Sequence, residues 1–451
     1  MAQQVDVVVI GMGVGGEEVG GKLAEAGLFV VGVERTLVGG ECPYWGCIPS
    51  KMMIRAANLL AEARRLDGIA GHADVTSDWE PVAARIREEA TADWNDQAAV
   101  DRFTGKGGTL VRGRGRLAGP GVVVVDGETF EARRGIVLAT GAVPVVPLID
   151  GLADTPYWTN REAIEAKTLP ESLIVLGGGA IGLELAQVYA RFGVVVTVVE
   201  AMDRLLPAEE PEASTLVERV LAADGITVRV GEAATAVHYD GARFLVTVGD
   251  DELTAERLLV AVGRRADLTG LGLDTVGLDQ LAPEITVDEH QRAGDRLWAV
   301  GDVTGHGAFT HVAMYQAGIA IRDILGNPGP PADYRALPRV TFTDPEIGSV
   351  GVNAASARAA GIRTEVGIAQ VPHSSRGWVH KAGNDGLIKL VADADQGVLV
   401  GATSAGPTGG EVLSALAVAV HARVPIGVLR HMIYAYPTFH RGIEVALRQL
   451  S

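Results

Sequence analysis

The feature that most constrains this chain is a device it carries twice: an apolar run, a glycine-rich turn, a helical stretch and a second apolar run ending in an acid. The first copy comprises residues 5–10, the turn Gly11-Met-Gly13-Val-Gly15-Gly16, a helical pattern over 15–25, and an apolar run over 28–33 that stops at Glu34. The second comprises residues 173–176, Gly177-Gly-Gly179-Ala-Ile-Gly182, 181–191 and 194–199, stopping at Glu200. Strands this uniformly apolar are buried on both faces, so each copy reads as a βαβ unit of a parallel sheet. The glycines permit a tight turn and let backbone N–H groups at the helix start approach a pyrophosphate. The acid ending the second strand is placed to accept hydrogen bonds from a ribose hydroxyl. Two dinucleotide sites are expected: Gly11, Gly13, Gly16 and Glu34 form one, Gly177, Gly179, Gly182 and Glu200 the other. The bland alternatives are a glycine turn without a ligand and a Glu200 that merely ends a strand in solvent. An acid at Glu200 disfavours a 2′-phosphate by like charge, which points to NADH over NADPH; Arg204, close by, weakens that preference. Two such sites in one chain fit a flavin held permanently and a nicotinamide that visits.

At 451 residues the chain exceeds what one ordinary core can serve. No apolar run is long enough to span a bilayer, and the first strand leads directly into the glycine turn without a cleavable leader, so a cytoplasmic protein is expected. A net charge of −17 excludes general nucleic-acid affinity, which needs a basic surface. The 2 cysteines both lie in Cys42-Pro-Tyr-Trp-Gly-Cys47. A structural disulfide closing so small a loop contributes little and is liable to reduction in a cytosolic protein. A redox-active pair is therefore favoured over two inert buried thiols. No cluster has the spacing of a structural metal site, and no metal is expected.

The segment Gly39-Gly40-Glu41-Cys42-Pro-Tyr-Trp-Gly-Cys47-Ile-Pro-Ser-Lys51 resembles the signature of the class I pyridine nucleotide-disulfide oxidoreductases, the family of dihydrolipoamide dehydrogenase, glutathione, mycothione and mercuric reductases. The resemblance extends over nearly the whole chain. Ala139-Thr140-Gly141 is similar to the segment near the flavin, Gly263-Arg264 to the family's Gly-Arg turn, and Gly301-Asp302 to the motif whose Asp binds the flavin ribitol. Phe342-Thr-Asp-Pro345-Glu346 resembles the start of the dimerisation domain.

The fold so implied is α/β: two Rossmann-like dinucleotide-binding domains, for FAD and NAD, plus a C-terminal α+β dimerisation domain. The expected segments are 1–150 and 269–330 for FAD, 151–268 for NAD(P) and 331–451 for the interface, with Pro328, Pro330 and Pro331 before the last. The implied reaction passes electrons from NAD(P)H through FAD to a Cys42–Cys47 disulfide, and onward to a small-molecule acceptor in a homodimer. Cys47 is then the sulfur nearest the flavin, lying just before a helix whose N-terminus favours thiolate, and Cys42 is the interchange thiol. Lys51 pairs with Glu184 near the flavin. Ala180 stands where some relatives carry a tyrosine gate, leaving the nicotinamide pocket open.

One part of the pattern fails. The family's C-terminal His-Pro-Thr-x-x-x-Glu, or a close variant of it, reads here Tyr436-Pro437-Thr438-Phe439-His440-Arg441, with Tyr436 at the position of the His and Arg441 at that of the orienting Glu. Tyrosine, with a reference pKa near ~10, is a poor base at neutrality. Three readings stay open: His440 or His431 supplies the proton for a disulfide acceptor; the acceptor is a quinone or soft metal ion needing no relay; or Tyr436 packs at a dimer interface. Against a mercuric function, the chain offers no cysteines beyond the pair. A complex-bound subunit or redox-sensing flavoprotein is the reading from another class.

Overall fold

The computed structural model describes residues 2–451. The chain forms two compact units: Met1–Pro49 with Ala84–Val145 and Gly263–Asp333, and Ser50–Ala83 with Val146–Val262 and Tyr334–Ser451.

The first unit is organised by the strand Gln3–Ile10. It lies parallel to Val30–Glu34 on one side and to Glu128–Leu138 on the other, and Leu297–Ala299 runs parallel beyond that. Val8 and Ile10 enter one apolar core and Val7 and Val9 the other, the period of two that a strand imposes. Val5 shares the core of Val8 and Ile10 because a register shift between Val5 and Val7 reverses the alternation. The strand ends at Ile10, Glu34, Leu138 and Ala299 are brought to one edge, so Gly11, Thr140 and Asp302 follow from neighbouring strands. Crevices outside the carboxyl ends of parallel strands are where such sheets bind ligands.

The second unit contains the repeat of this device. Thr227–Val230, Val195–Glu200, Ser172–Leu176 and Arg257–Val260 form a four-stranded parallel sheet in that order. An antiparallel meander, Ala234–Tyr239, Phe244–Val248 and Asp251–Ala255, shares a core with it through Phe244, Val246 and Leu176. The C-terminal part is a five-stranded antiparallel sheet ordered Pro338–Thr341, Glu346–Gly351, Val398–Gly406, Leu387–Asp393, Thr364–Gln370. The helices Gly409–His421, Ile426–His431 and Gly442–Leu447 cover it with Leu413, Leu416, Leu429, Ile443 and Leu447.

Two expectations need adjusting. The second strands, Val30–Glu34 and Val195–Glu200, end on the expected acids but start later than residues 28 and 194. The helix expected to start after Cys47 spans Cys47–Arg64, beginning on the cysteine itself, and the short helix Glu41–Trp45 precedes it. No described helix is long and apolar enough to cross a membrane.

Candidate active site

At the first glycine turn the sequence dictates geometry tightly. Gly11 has φ +93°, and a Cβ there would lie 2.4 Å from the Ala139 carbonyl oxygen. A Cβ on Gly16 would lie 2.0 Å from the Gly11 oxygen, so the helix start can close on the strand end only with glycine there. Gly13 bridges to Gly39, and Gly40 comes so near that its Cβ would meet the Gly13 Cα at 2.9 Å. Glu34 is buried and turns back on the loop: its carboxylate accepts the Met12 N–H at 2.7 Å and the Thr36 N–H at 2.8 Å. The Thr36 hydroxyl donates to the same carboxylate at 2.9 Å, and of its about four acceptor positions one is left for a ribose hydroxyl.

FAD fits this edge on a separate observation. The Thr140 hydroxyl is buried without a hydrogen-bond partner, and an unmet buried polar group costs about 1–3 kcal/mol. Beside it a Cβ on Gly141 would meet nothing within 4 Å. Asp302 is half-buried, and burial pushes its carboxyl pKa up while the Arg264 guanidinium opposes the shift. Arg264, next to Gly263, is itself held by the Ala142 carbonyl at 2.6 Å and by Glu41 at 3.6 Å.

The cysteines are separate thiols, Cys42 half-buried and Cys47 exposed. A hydrogen bond with Cys47 and then burial push the Cys42 thiol pKa up; the Thr310 hydroxyl acts the other way. Thr310 Oγ1 also lies 3.3 Å from Cys47 Sγ. Thr310 opens the helix Thr310–Leu325, so Cys47 heads its own helix and sits beside the start of another. Both positive helix ends favour thiolate charge there. Sequence reasoning missed Thr310, which lies far from the cysteines in the chain; its one signal was a hydroxyl at a helix start soon after the Gly301-Asp302 motif.

One turn into the Cys47 helix, Lys51 Nζ lies 2.9 Å from Glu184 Oε2 and 4.6 Å from the centroid of the Phe342 ring. The other Glu184 oxygen accepts the Phe342 N–H at 2.8 Å. The expected Lys51–Glu184 pair is thus brought together.

The second glycine turn repeats the first. Gly177 has φ +109°, with the Ala261 carbonyl 2.5 Å from where a Cβ would stand, and a Cβ on Gly182 would lie 2.2 Å from the Gly177 oxygen. Around Gly179 the space within 4 Å is open. Glu200 accepts the Gly178 N–H at 2.6 Å and the Met202 N–H at 2.7 Å. Ala180 is the first residue of the helix Ala180–Arg191. Arg204 turns into its own loop, donating to the Pro207 and Glu209 carbonyls at 2.5 and 2.9 Å and to the Ser214 hydroxyl at 2.8 Å.

Tyr436 and His440 belong to the second unit. Tyr436 is 68% exposed; its hydroxyl donates to Ser375 Oγ at 3.2 Å, and the Arg441 guanidinium stands 5.5 Å from its ring centroid. Arg441 also donates to the Tyr434 carbonyl at 3.0 Å and pairs with Glu444 at 3.1 Å. The His440 ring lies beside Tyr434, 6.0 Å between centroids, and His431 is exposed at the end of Ile426–His431.

Residues 5–317 match the model of the pyridine nucleotide-disulphide oxidoreductases, and residues 337–447 match that family's dimerisation domain. The chain belongs to this family of enzymes, which use FAD and a pyridine nucleotide. It is 34% identical to a mercuric reductase of Streptomyces lividans over 460 residues, covering 99% of this chain and 96% of that protein. It is 35% identical to a dihydrolipoyl dehydrogenase of Chlorobaculum tepidum over 462 residues, covering 99% and 97%. The crystal structure of LpdA from Mycobacterium tuberculosis superposes with a TM-score of 0.86 at 28% identity, over 99% of this chain and 100% of that one.

A hydrogen bond is worth about 0.5–1.5 kcal/mol, equivalent to roughly 0.4–1.1 pH units. Thr310→Val is expected to move the alkylation midpoint of the reduced cysteine pair upward by that amount, measured as iodoacetamide reactivity against pH. An unchanged profile would remove Thr310 from the site.

Proposed function

We propose that this chain is an NADH-driven flavoprotein reductase that delivers electrons through Cys42 and Cys47 to a disulfide-type acceptor. The observation that carries the reading is the hydrogen-bonded thiol pair, with Cys47 heading its helix and Thr310 beside it. Gly11, Gly13, Gly16, Glu34, Gly40, Thr140, Gly141, Gly263, Arg264 and Asp302 would hold FAD, whose chemistry when bound is to relay two electrons between a nicotinamide and the sulfurs. The thiol pair divides the remaining work: one sulfur attacks the acceptor and the other resolves the mixed disulfide. Lys51 contributes a fixed positive charge, held by Glu184.

Gly177, Gly179, Gly182 and Glu200 would take the nicotinamide dinucleotide. The preference for NADH rests on Glu200 and on Arg204 together. A 2′-phosphate would meet the Glu200 carboxylate, and Arg204, the nearby cation that could offset it, is committed to two carbonyls and Ser214. A homodimer is supported by the dimerisation-domain match and by the exposed apolar side chains of Val428, Met432, Ile433 and Tyr436, which a second copy would cover.

A second reading, a soft metal cation as acceptor, is favoured by Tyr436. The hydrogen bond with Cys47 and burial push the Cys42 thiol pKa up, and a phenol is a weak base for it, whereas a soft cation displaces thiol protons directly. The mercuric reductase relative is consistent with this.

Cys42→Ser is expected to abolish disulfide turnover while NADH still bleaches the flavin absorbance; undiminished turnover would remove the thiol pair from the exit route. Tyr436→His is expected to raise disulfide turnover toward the ~10²–10⁴-fold that acid–base assistance supplies. If it changes nothing and Hg(II) is the better acceptor of the wild type, the second reading holds. The kcat/KM for NADH is expected to exceed that for NADPH by about tenfold or more, and Glu200→Ala to narrow the ratio; one such contact is worth roughly 1.4 kcal/mol per factor of ten.

A further inference from the structure

Behind the Lys51–Glu184 pair lies a buried polar ladder that the reaction just described does not use. The Cys47–Arg64 helix presents Lys51 and Asn58, and Arg65 follows directly after it. These residues recur every seven positions, which keeps them on one face with a drift of about 20° per heptad. The Ala180–Arg191 helix presents Glu184, Gln187 and Arg191, spaced by three and four and so also on one face.

The two stripes meet in register. Lys51 pairs with Glu184 at 2.9 Å, and Asn58 Oδ1 accepts from Arg191 Nη1 at 2.7 Å. The rungs are seven residues apart on both helices, about 10.5 Å of rise on each, so the helices run in the same direction along the ladder. A third component closes it. Glu184 accepts from the Phe342 N–H; the Gln187 amide accepts the Asp344 N–H at 2.7 Å and donates to the Asp344 carbonyl at 3.0 Å. The Asp344 carboxylate takes Arg191 at 2.9 Å and Arg65 at 2.7 Å. Arg191 is only 3% exposed, and its Nε is held by Asp224 at 3.0 Å.

Buried ion pairs contribute little net stability compared with apolar residues of the same size, because desolvation offsets the attraction. What they impose is register. A slip of one helical turn, about 5.4 Å, would break every rung at once and leave a buried guanidinium unpaired. The first rung of the ladder is Lys51, and the same loop that holds Asp344 sets the Phe342 ring against its ammonium group.

We infer that Arg191 and Asp344, with Asn58, Gln187 and Arg65 around them, are positioning residues that fix the Lys51 ammonium in place. They act through the register of two helices and the Phe342–Asp344 loop, and touch no reacting atom themselves. The inference rests on the proposed function in one respect, that the Lys51 charge stands beside the bound flavin.

The test uses the purified holoenzyme with Arg191→Met, Lys51→Met, the double variant and the wild type. Two quantities are read: the midpoint potential of the bound flavin and the rate at which NADH reduces it in rapid mixing. Arg191→Met is expected to shift the potential in the same direction as Lys51→Met and to slow reduction by between about 10- and 100-fold, the loss that misplacement of a group by about 1 Å produces. The double variant is expected to be no slower than Lys51→Met alone, because the ladder acts through Lys51. Two results would overturn the inference: a lowered melting temperature with wild-type potential and reduction rate, or losses that multiply in the double variant. Should Arg191→Met fail to fold, Asn58→Ala removes the same rung from a half-buried position and is read by the same criteria. If the wild-type flavin is not reduced by NADH at all, the functional reading fails instead, and the potentials still decide the ladder.

Discussion

The contact on which this chain depends is a glycine pressed against a neighbouring strand's carbonyl, made twice. Gly11 stands against Ala139, and Gly177 against Ala261, each too close for a Cβ. The backbone around them is bonded alike. Gly11 and Gly177 donate to the carbonyls of Val33 and Val199, while Ala139 and Ala261 donate to those of Ile10 and Leu176. In both copies the acid ending the second strand then accepts the N–H following that glycine, Met12 to Glu34 and Gly178 to Glu200. Any side chain at either glycine would push the helix start away from the sheet edge, and the backbone N–H groups would no longer converge on a pyrophosphate. The repeated device is therefore one solution to one steric constraint.

The rest of the chemistry is attached to helix starts. Cys47 begins its helix, Thr310 begins another, and their side chains touch. Charge that develops on sulfur is met there by oriented backbone dipoles and a hydroxyl, which need no reorganisation when the thiol ionises. Cys42, hydrogen-bonded to Cys47 and partly buried, has its thiol pKa pushed up. The pair is thus asymmetric before any acceptor arrives, and that asymmetry is what a relay with one attacking and one resolving sulfur requires.

The C-terminal segment uses a different set of contacts from the one the family pattern implies. Arg441 binds the Tyr434 carbonyl and Glu444 and lies over the Tyr436 ring, and the Tyr436 hydroxyl bonds Ser375. His440 sits against Tyr434. The phenol at position 436 is left largely in solvent in the single chain, available to whatever surface a second copy brings.

The sequence by itself determined the two glycine turns, their closing acids, the cysteine pair and the strands that carry them. Each is a local matter: a steric allowance at one φ angle, a period of two along a strand, a spacing within one short segment. It also placed Lys51 and Glu184 together, but only through likeness to a family. The tertiary structure alone decided that Thr310 meets Cys47, that Arg204 is spent on its own loop, and that Asn58, Arg191 and Asp344 join the ladder behind Lys51. Those contacts link positions 263, 133 and 153 residues apart in the cases of Cys47–Thr310, Asn58–Arg191 and Arg191–Asp344. No local propensity encodes such a meeting, because the free energy that selects it comes from packing whole helices and strands together, not from the residues that happen to touch.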